Sequence, residues 1–214
     1  MSMNIGILGA GNVGKILGKG LIAAGYQVLI SSREPHAPKH FTWKQEVGKS
    51  GDIASFNEAA LFGEIIIVAL PWFCLRDVVD TIDPFYLKNK TVIDVSNAVH
   101  FDNGPRLQLV DRSAAEIIQQ SLPESHVVKT LNTVSDRIMI NPKFREGSPI
   151  MFISGNNNSS KIQVNSLLKD LGWPLIVDLG DIRQSRLQES IMLACVISEN
   201  QLQSPGAAFA LLRH

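Results

Sequence analysis

The chain reads as an α/β protein, with a doubly wound, mainly parallel sheet and a small C-terminal α/β extension. Three observations lead there. Short apolar runs alternate with stretches of helical spacing along most of the 214 residues. The runs are continuously apolar, as in Glu64-Ile-Ile-Ile-Val-Ala-Leu70, which suits strands covered on both faces. The first run, Asn4 to Leu8, passes straight into Gly9-Ala10-Gly11-Asn12-Val13-Gly14, a G-x-G-x-x-G turn that opens a helix. That order is the Rossmann-type arrangement of a dinucleotide site.

The elements follow in order. Asn4–Leu8 is the first strand, and Asn12 to Ala24 has helical spacing. Gln27–Ser31 is the second strand. The stretch from His36 to Asp52 carries no clear period and reads as a long loop with a helical turn. Glu64–Leu70 is the third strand and ends at Pro71, which cannot continue a ladder but suits the first turn of a helix over Trp72 to Ile82. Thr91–Val95 is a fourth strand. Ser113 and Glu116 have capping-box spacing at the start of a helix that runs to Leu122. Val127–Leu131 is the fifth strand. Beyond Asp136 come a strand at Ile150–Ser154 and the polar link Asn156 to Ser160, which caps a helix reaching Leu171. A short strand at Leu175–Asp178 and a helix over Gln184 to Ser198 follow, with one or two helical turns expected at Pro205 to Leu212. The division expected is a dinucleotide-binding domain over 1–135 and an extension over 136–214 that completes the sheet and covers the cleft.

Each glycine of the turn has a physical task. Gly9 makes the tight turn, Gly11 lets backbone approach a pyrophosphate, and Gly14 lets helix and strand pack closely. Ala10, Asn12 and Val13 supply free N–H groups at the helix start. The second strand ends in Ser31-Ser32-Arg33, where an NAD site usually has a carboxylate. Two hydroxyls and a guanidinium can hydrogen-bond a 2′-phosphate that an acid would repel, so the reading is NADP(H). His36 and Lys39 lie just beyond.

Composition excludes other classes. Lys plus Arg number 20, as do Asp plus Glu, so there is no electrostatic footprint for nucleic acid or an anionic membrane. No apolar run is long enough to span a bilayer, and the start lacks the basic region of a signal peptide. Cys74 and Cys195 stand alone, without metal-ligand spacing. The expectation is a reduced, cytoplasmic protein with no bound metal.

Ligands of open α/β sheets bind outside the carboxyl ends of the strands. That rule adds Ala69, Leu70 and Pro71 after the third strand and Ser96 and Asn97 after the fourth as cofactor-binding candidates. It places Asn132 and Thr133, after the fifth, at the acceptor. Acid–base candidates are poor. Tyr86 and Lys90 have Y-x-x-x-K spacing but precede a strand, at the wrong end of the sheet, as does His126. His100 faces the right way but reads as a solvated loop histidine, and Cys74, near a helix start, could have a lowered pKa but reads first as a residue that fills space. No catalytic side chain is therefore nominated. Hydride exchange between two ring cofactors needs mainly alignment, whereas carbonyl reduction needs a held proton donor.

These residues resemble the NADP oxidoreductases typified by the archaeal NADPH:coenzyme F420 oxidoreductase, and are similar to the cytoplasmic domains of the six-transmembrane metalloreductases. The likeness rests on the Gly9–Gly14 turn, Ser32-Arg33, Leu70-Pro71-Trp72, Asp94-Val95-Ser96-Asn97, Arg112-Ser113-Ala114-Ala115-Glu116 and Lys129-Thr130-Leu131-Asn132-Thr133. It extends to Asp178-Leu179-Gly180 with Ser185-Arg186-Leu187 and Glu189, which look like the family's closing D-x-G…R-x-x-E pattern. Read from spacing alone, Arg186 and Glu189 are a surface i, i+3 pair. The resemblance implies NADP(H) as cofactor, F420 or a flavin as the small-molecule acceptor, and a homodimer. A His can stand in the archaeal enzymes where this chain has Asn132, so the acceptor stays open. Two alternatives remain: an NADPH-dependent imine or keto-acid reductase, and a non-catalytic NADP-binding redox sensor or partner subunit.

Overall fold

The computed structural model describes residues 3–102, 104–109 and 111–212. The strands are β1 (Asn4–Leu8), β2 (Gln27–Ser31), β3 (Gly51–Ala54), β4 (Ile65–Val68), β5 (Thr91–Asp94), β6 (Val99–His100), β7 (Arg106–Leu107), β8 (His126–Lys129), β9 (Ile150–Gly155) and β10 (Leu175–Asp178). The helices are α1 (Asn12–Ala23), α2 (Phe41–Val47), α3 (Phe56–Phe62), α4 (Trp72–Val79), α5 (Ala114–Ser121), α6 (Asn158–Asp170) and α7 (Ser185–Leu202). Eight strands form one sheet in the order β10-β9-β8-β5-β4-β1-β2-β3. Every neighbour pair in it is parallel except β8 with β9. The fold is Rossmann-like, with the order reversing between β1 and β4.

The continuous apolar runs have a direct consequence. Along β4, Ile65 and Ile67 face one core, with Leu17 and Leu21 of α1 and Val164, Leu167 and Leu168 of α6. Ile66 and Val68 face the other, with Ala59 and Ala60 of α3, Leu75 and Val79 of α4, and Ile118 of α5. Side chains alternate with period two, so a central strand apolar at every position buries both faces. Each such aliphatic side chain contributes about 1.5–3 kcal/mol.

Local signals set several boundaries. Ser113 and Glu116 cap α5 reciprocally, as their spacing requires. Asn157 caps α6 by accepting from Ser160 N. The stretch read as a long loop with a helical turn over His36 to Asp52 holds the helix α2 and runs into β3 and α3, which the sequence reading did not include. Trp43 fastens α2 by donating from Nε1 to the Lys15 carbonyl, 3.0 Å away. β3 is a short edge strand with one buried residue, Ile53, so it has little apolar pattern to see. The turns expected at Pro205 to Leu212 are not helical. Gly206 and Ala207 donate to Glu199 Oε1 at 2.9 and 2.7 Å, and the Phe209 carbonyl accepts from Ile150 N on β9. The tail doubles back and spends its backbone groups on its neighbours. Among the described residues no helix is long and apolar enough to cross a membrane.

Candidate functional site

The reversal between β1 and β4 leaves a crevice at their carboxyl ends. Gly9 takes φ +119°, and a side chain there would run into the Ala69 backbone. A side chain at Gly14 would overlap the Gly9 carbonyl, which is the close strand–helix packing its place in the turn calls for. A Cβ at Gly11 would meet nothing within 4 Å. That open side, at the N-terminus of α1, is what a pyrophosphate needs. The helix start has no side-chain cap and no acid in its first turn. Its leading N–H groups stay available to an anion. Gly9 N donates to Ser31 Oγ at 3.1 Å, tying the turn to the end of β2. The residues present therefore fit a dinucleotide.

The cleft has a volume of about 1230 Å³. That exceeds the roughly 300–1,000 Å³ usual for one small ligand. One end is charged. Ser31 is fully buried and occupied by Gly9, leaving Ser32 and the exposed Arg33 to face a ligand. Glu34 also lines this end, but Lys39 sits 2.7 Å from it and holds its carboxyl below the usual range. His40 is buried, with Nε2 3.0 Å from Ser32 Oγ. Sequence spacing pointed to His36 and Lys39. Lys39 lines the cleft, His36 does not, and His40, not singled out from sequence, does.

The other end is built differently. Ala69 to Trp72 follow β4, and Ser96 and Asn97 follow β5. The hairpin β6–β7 brings Val99, His100, Phe101 and Asp102 to the same wall. His100 is thus half-buried in the cleft wall rather than solvated. Its two-residue strands were too short to read from sequence. Beneath Ser96 lies a buried charge cluster. Lys129 Nζ sits 2.7 Å from Asp94 and 2.9 Å from Glu189, and also donates to the Ser96 carbonyl. Asp94 Oδ1 accepts from Ser96 N and Oγ at 2.9 and 2.6 Å, and Glu189 Oε1 from Ala114 N at 2.9 Å. Burial opposes the lysine's charge, but the two carboxylates outweigh it and hold its pKa above the usual value.

Beside that cluster Asn97 and Asn132 clasp each other. Asn97 Nδ2 donates to the Asn132 carbonyl at 3.0 Å, and Asn132 Nδ2 to Asn97 Oδ1 at 2.9 Å. Gln188 Nε2 reaches Asn132 Oδ1 at 3.3 Å. Leu131, buried with φ +57°, turns the chain after β8 so that Asn132 meets Asn97.

The residues nominated from sequence mostly converge. Gly9 to Val13, Ser31 to Arg33, Ala69 to Pro71, and Ser96 with Asn97 line one cleft. Gly14 lies behind it. Asn132 and Thr133 are not on its wall: both are buried, and Asn132 acts through Asn97. Tyr86 and Lys90 precede β5, and Lys90 donates to carbonyls of α3. Burial pushes the Cys74 thiol pKa up, although Arg33 pulls the other way, so the helix start does not activate it, and the less favoured alternative for this residue falls away. Arg186 and Glu189 do not pair. Arg186 makes a two-pronged contact with Glu116 at 2.8 and 2.6 Å, while Glu189 turns inward to Lys129. Helix spacing places both correctly, but their partners come from α5 and β8. Among the described residues no cluster of three or more His, Cys, Asp or Glu could hold a metal.

Residues 4–98 match the family described as NADP oxidoreductase, coenzyme F420-dependent. A crystal structure from Arthrobacter sp. FB24, assigned provisionally as an F420-dependent NADP reductase, superposes with TM-score 0.93. It is 30% identical and covers 99% of this chain and 100% of its own. The F420-dependent NADP reductase of Methanocaldococcus jannaschii is 26% identical over 79% of this chain and 80% of its own length. The human metalloreductase STEAP2 is 30% identical over 89% of this chain but 36% of its own length. The chain thus spans about a third of the metalloreductases it matches.

Proposed function

We propose, on the premise that the chain belongs to the coenzyme F420-dependent NADP oxidoreductase family, that it passes a hydride between NADP(H) and a flat ring acceptor of the flavin or deazaflavin type. The observation that carries this reading is the aromatic wall of the cleft. Trp72, Phe73 and Phe101 line it beyond the phosphate cradle, with Phe73 85% and Phe101 61% exposed. Large apolar rings held in water at a cleft mouth suit a planar ligand that stacks on them.

NADP(H), when bound, supplies the hydride at its nicotinamide ring. The chain's residues bind and orient. The turn from Gly9 to Val13 offers backbone N–H groups to the pyrophosphate. Ser32 and Arg33 take the 2′-phosphate. Asn97, fixed by Asn132 and Gln188, presents a rigid amide at the other end. The aromatic wall excludes water and holds the acceptor face-on, the alignment on which hydride transfer depends. Asn132 supports this end from behind Asn97, while the Thr133 hydroxyl points to Met151 in the core. The same reading includes a homodimer, which sedimentation of the purified chain tests.

The presence of His100 and Asp102 on that wall favours one second reading, reduction of an imine or keto acid with a side chain donating the proton. NADPH oxidation measured with F420, FMN, FAD and small cyclic imines separates the two. Turnover with a ring acceptor is expected, and His100→Ala should slow it less than about a hundredfold, the lower bound for losing a general acid. Turnover with imines alone, lost on that substitution, would establish the second reading. No turnover with any acceptor would leave a cofactor-binding sensor.

A further inference from the structure

We infer that His40 is a proton-linked determinant of cofactor selectivity: its ring gains a proton when a dinucleotide carrying a 2′-phosphate enters the cleft, and none when the phosphate is absent. The inference rests on the NADP(H) reading above and adds to it a residue outside the glycine turn and the Ser32-Arg33 pair.

The geometry centres on Ser32 Oγ. This hydroxyl accepts from Glu34 N at 3.1 Å and lies 3.0 Å from His40 Nε2. His40 is 2% exposed, and its Nδ1 is buried without a hydrogen-bond partner. A hydroxyl has one proton and two lone pairs. With one lone pair given to Glu34 N, Ser32 has two states. It can donate its proton to a neutral Nε2, in which case the proton points away from the cleft. Or it can accept from an Nε2–H and turn its own proton to a ligand. A 2′-phosphate, which only accepts, requires the second state. The ring must then carry hydrogen on Nε2.

A neutral ring can meet that requirement by shifting its hydrogen to Nε2, which leaves a bare lone pair on the buried Nδ1. An imidazolium meets it with hydrogens on both nitrogens. The bound phosphate decides between them. Joined to Ser32, it places a dianion one hydroxyl away from the ring, on the order of 5 Å, where opposite charge strongly favours protonation. The groups facing the ring from the surrounding elements are Lys15 of α1, Lys39 of the preceding turn, and Glu34 of the loop after β2. Before the phosphate arrives, burial, Lys15 and Lys39 together hold the imidazole pKa below its usual value, outweighing Glu34 and its backbone. The free ring is therefore neutral at pH 7.5.

The sign of the linkage follows. A group whose pKa rises on binding strengthens that binding below its free-state pKa and loses the gain as pH climbs through the bound-state pKa. NADPH affinity should weaken with rising pH between those two values, by at most about tenfold per pH unit for one proton. NADH affinity should stay flat. Near pH 7.5 the 2′-phosphate, whose second pKa is about 6, is already a dianion and contributes little proton exchange.

The test is calorimetric titration of the whole chain at pH 7.5 in HEPES and in Tris, whose ionisation heats differ, with NADPH and with NADH. The variant His40→Gln keeps a side-chain hydrogen bond to Ser32 but cannot titrate, and its thermal unfolding is compared with wild type. Uptake of a measurable fraction of a proton is expected for wild type with NADPH, and none for wild type with NADH or for His40→Gln with NADPH. Selective NADPH binding with no proton uptake, or with equal uptake in His40→Gln, would overturn the role of His40 alone. Equal affinity of wild type for NADPH and NADH would instead overturn the cofactor reading, and this inference with it. Should His40→Gln fail to fold, the wild-type comparison of NADPH with NADH across pH 6.5–8.5 decides the matter, a flat NADPH affinity sinking the inference.

Discussion

The two ends of the cleft use charge in opposite ways. At the Ser32-Arg33 end the charges face water: Arg33 is exposed, and Lys39 and Glu34 keep 59% and 69% of their side-chain surface. Such groups are cheap to hold and well screened, so they act mainly on an arriving anion. Under Ser96 and Asn97, Lys129 and Asp94 are fully buried and Glu189 nearly so. None of the three lines the cleft; Asp94 and Lys129 tie down the loop that carries Ser96 and Asn97. On the function proposed above, one end recognises the cofactor and the other positions its loop, so substitutions should affect different measurements at the two ends.

The bluntest way to break the comparison is at the shared floor. Gly11→Val should abolish NADPH binding, because its side chain fills the open space a pyrophosphate needs. Its φ of −76° suits a branched residue, so unfolding by urea should be unchanged. Undiminished NADPH affinity in titration would contradict the cradle. Next, Lys129→Met should lower unfolding free energy by about 3–5 kcal/mol, since it leaves two buried carboxylates facing each other. A small loss would show that the cluster matters less to stability than its burial implies.

Arg33→Ala sharpens the contrast from the other end. It should weaken NADPH binding by about 1.5–3 kcal/mol, leave NADH nearly unchanged and not move the melting temperature. Equal loss for both cofactors would show that Arg33 does not read the phosphate. The smallest effect is expected at Ser113, whose hydroxyl caps α5 beside the Glu189 contact to Ala114. Ser113→Ala should cost about 1 kcal/mol of stability in the same urea assay and leave NADPH affinity alone. A change in affinity instead would mean that the cap transmits to Ser96.

Legibility in the sequence divides along the same line. The glycine turn, Ser32-Arg33 and the strand ends after β4 and β5 were readable because each depends on a few consecutive residues. The capping box at Ser113 was readable for the same reason. The edge strand β3 was not, since Gly51-Asp-Ile-Ala54 has a single apolar residue to bury. Ser55 and Glu58 form a second capping box at the start of α3, a local signal that spacing could have supplied. His40 was hidden among three neighbouring basic candidates, and only its contact with Ser32 sets it apart.

By itself the sequence determined the doubly wound sheet, the glycine turn at its switch point and the placing of Ser32 and Arg33 at the cleft, because glycine geometry, strand periodicity and residue charge are local properties. Tertiary structure alone decided that Glu189 joins Lys129 sixty residues away, that Arg186 pairs with Glu116, and that Asn132 works from behind Asn97. The Glu189 and Asn132 choices turn on which buried polar group finds a partner once the helices have packed. A buried charge or amide left unpaired costs several kcal/mol, so packing selects the partner, and no spacing along the chain encodes it.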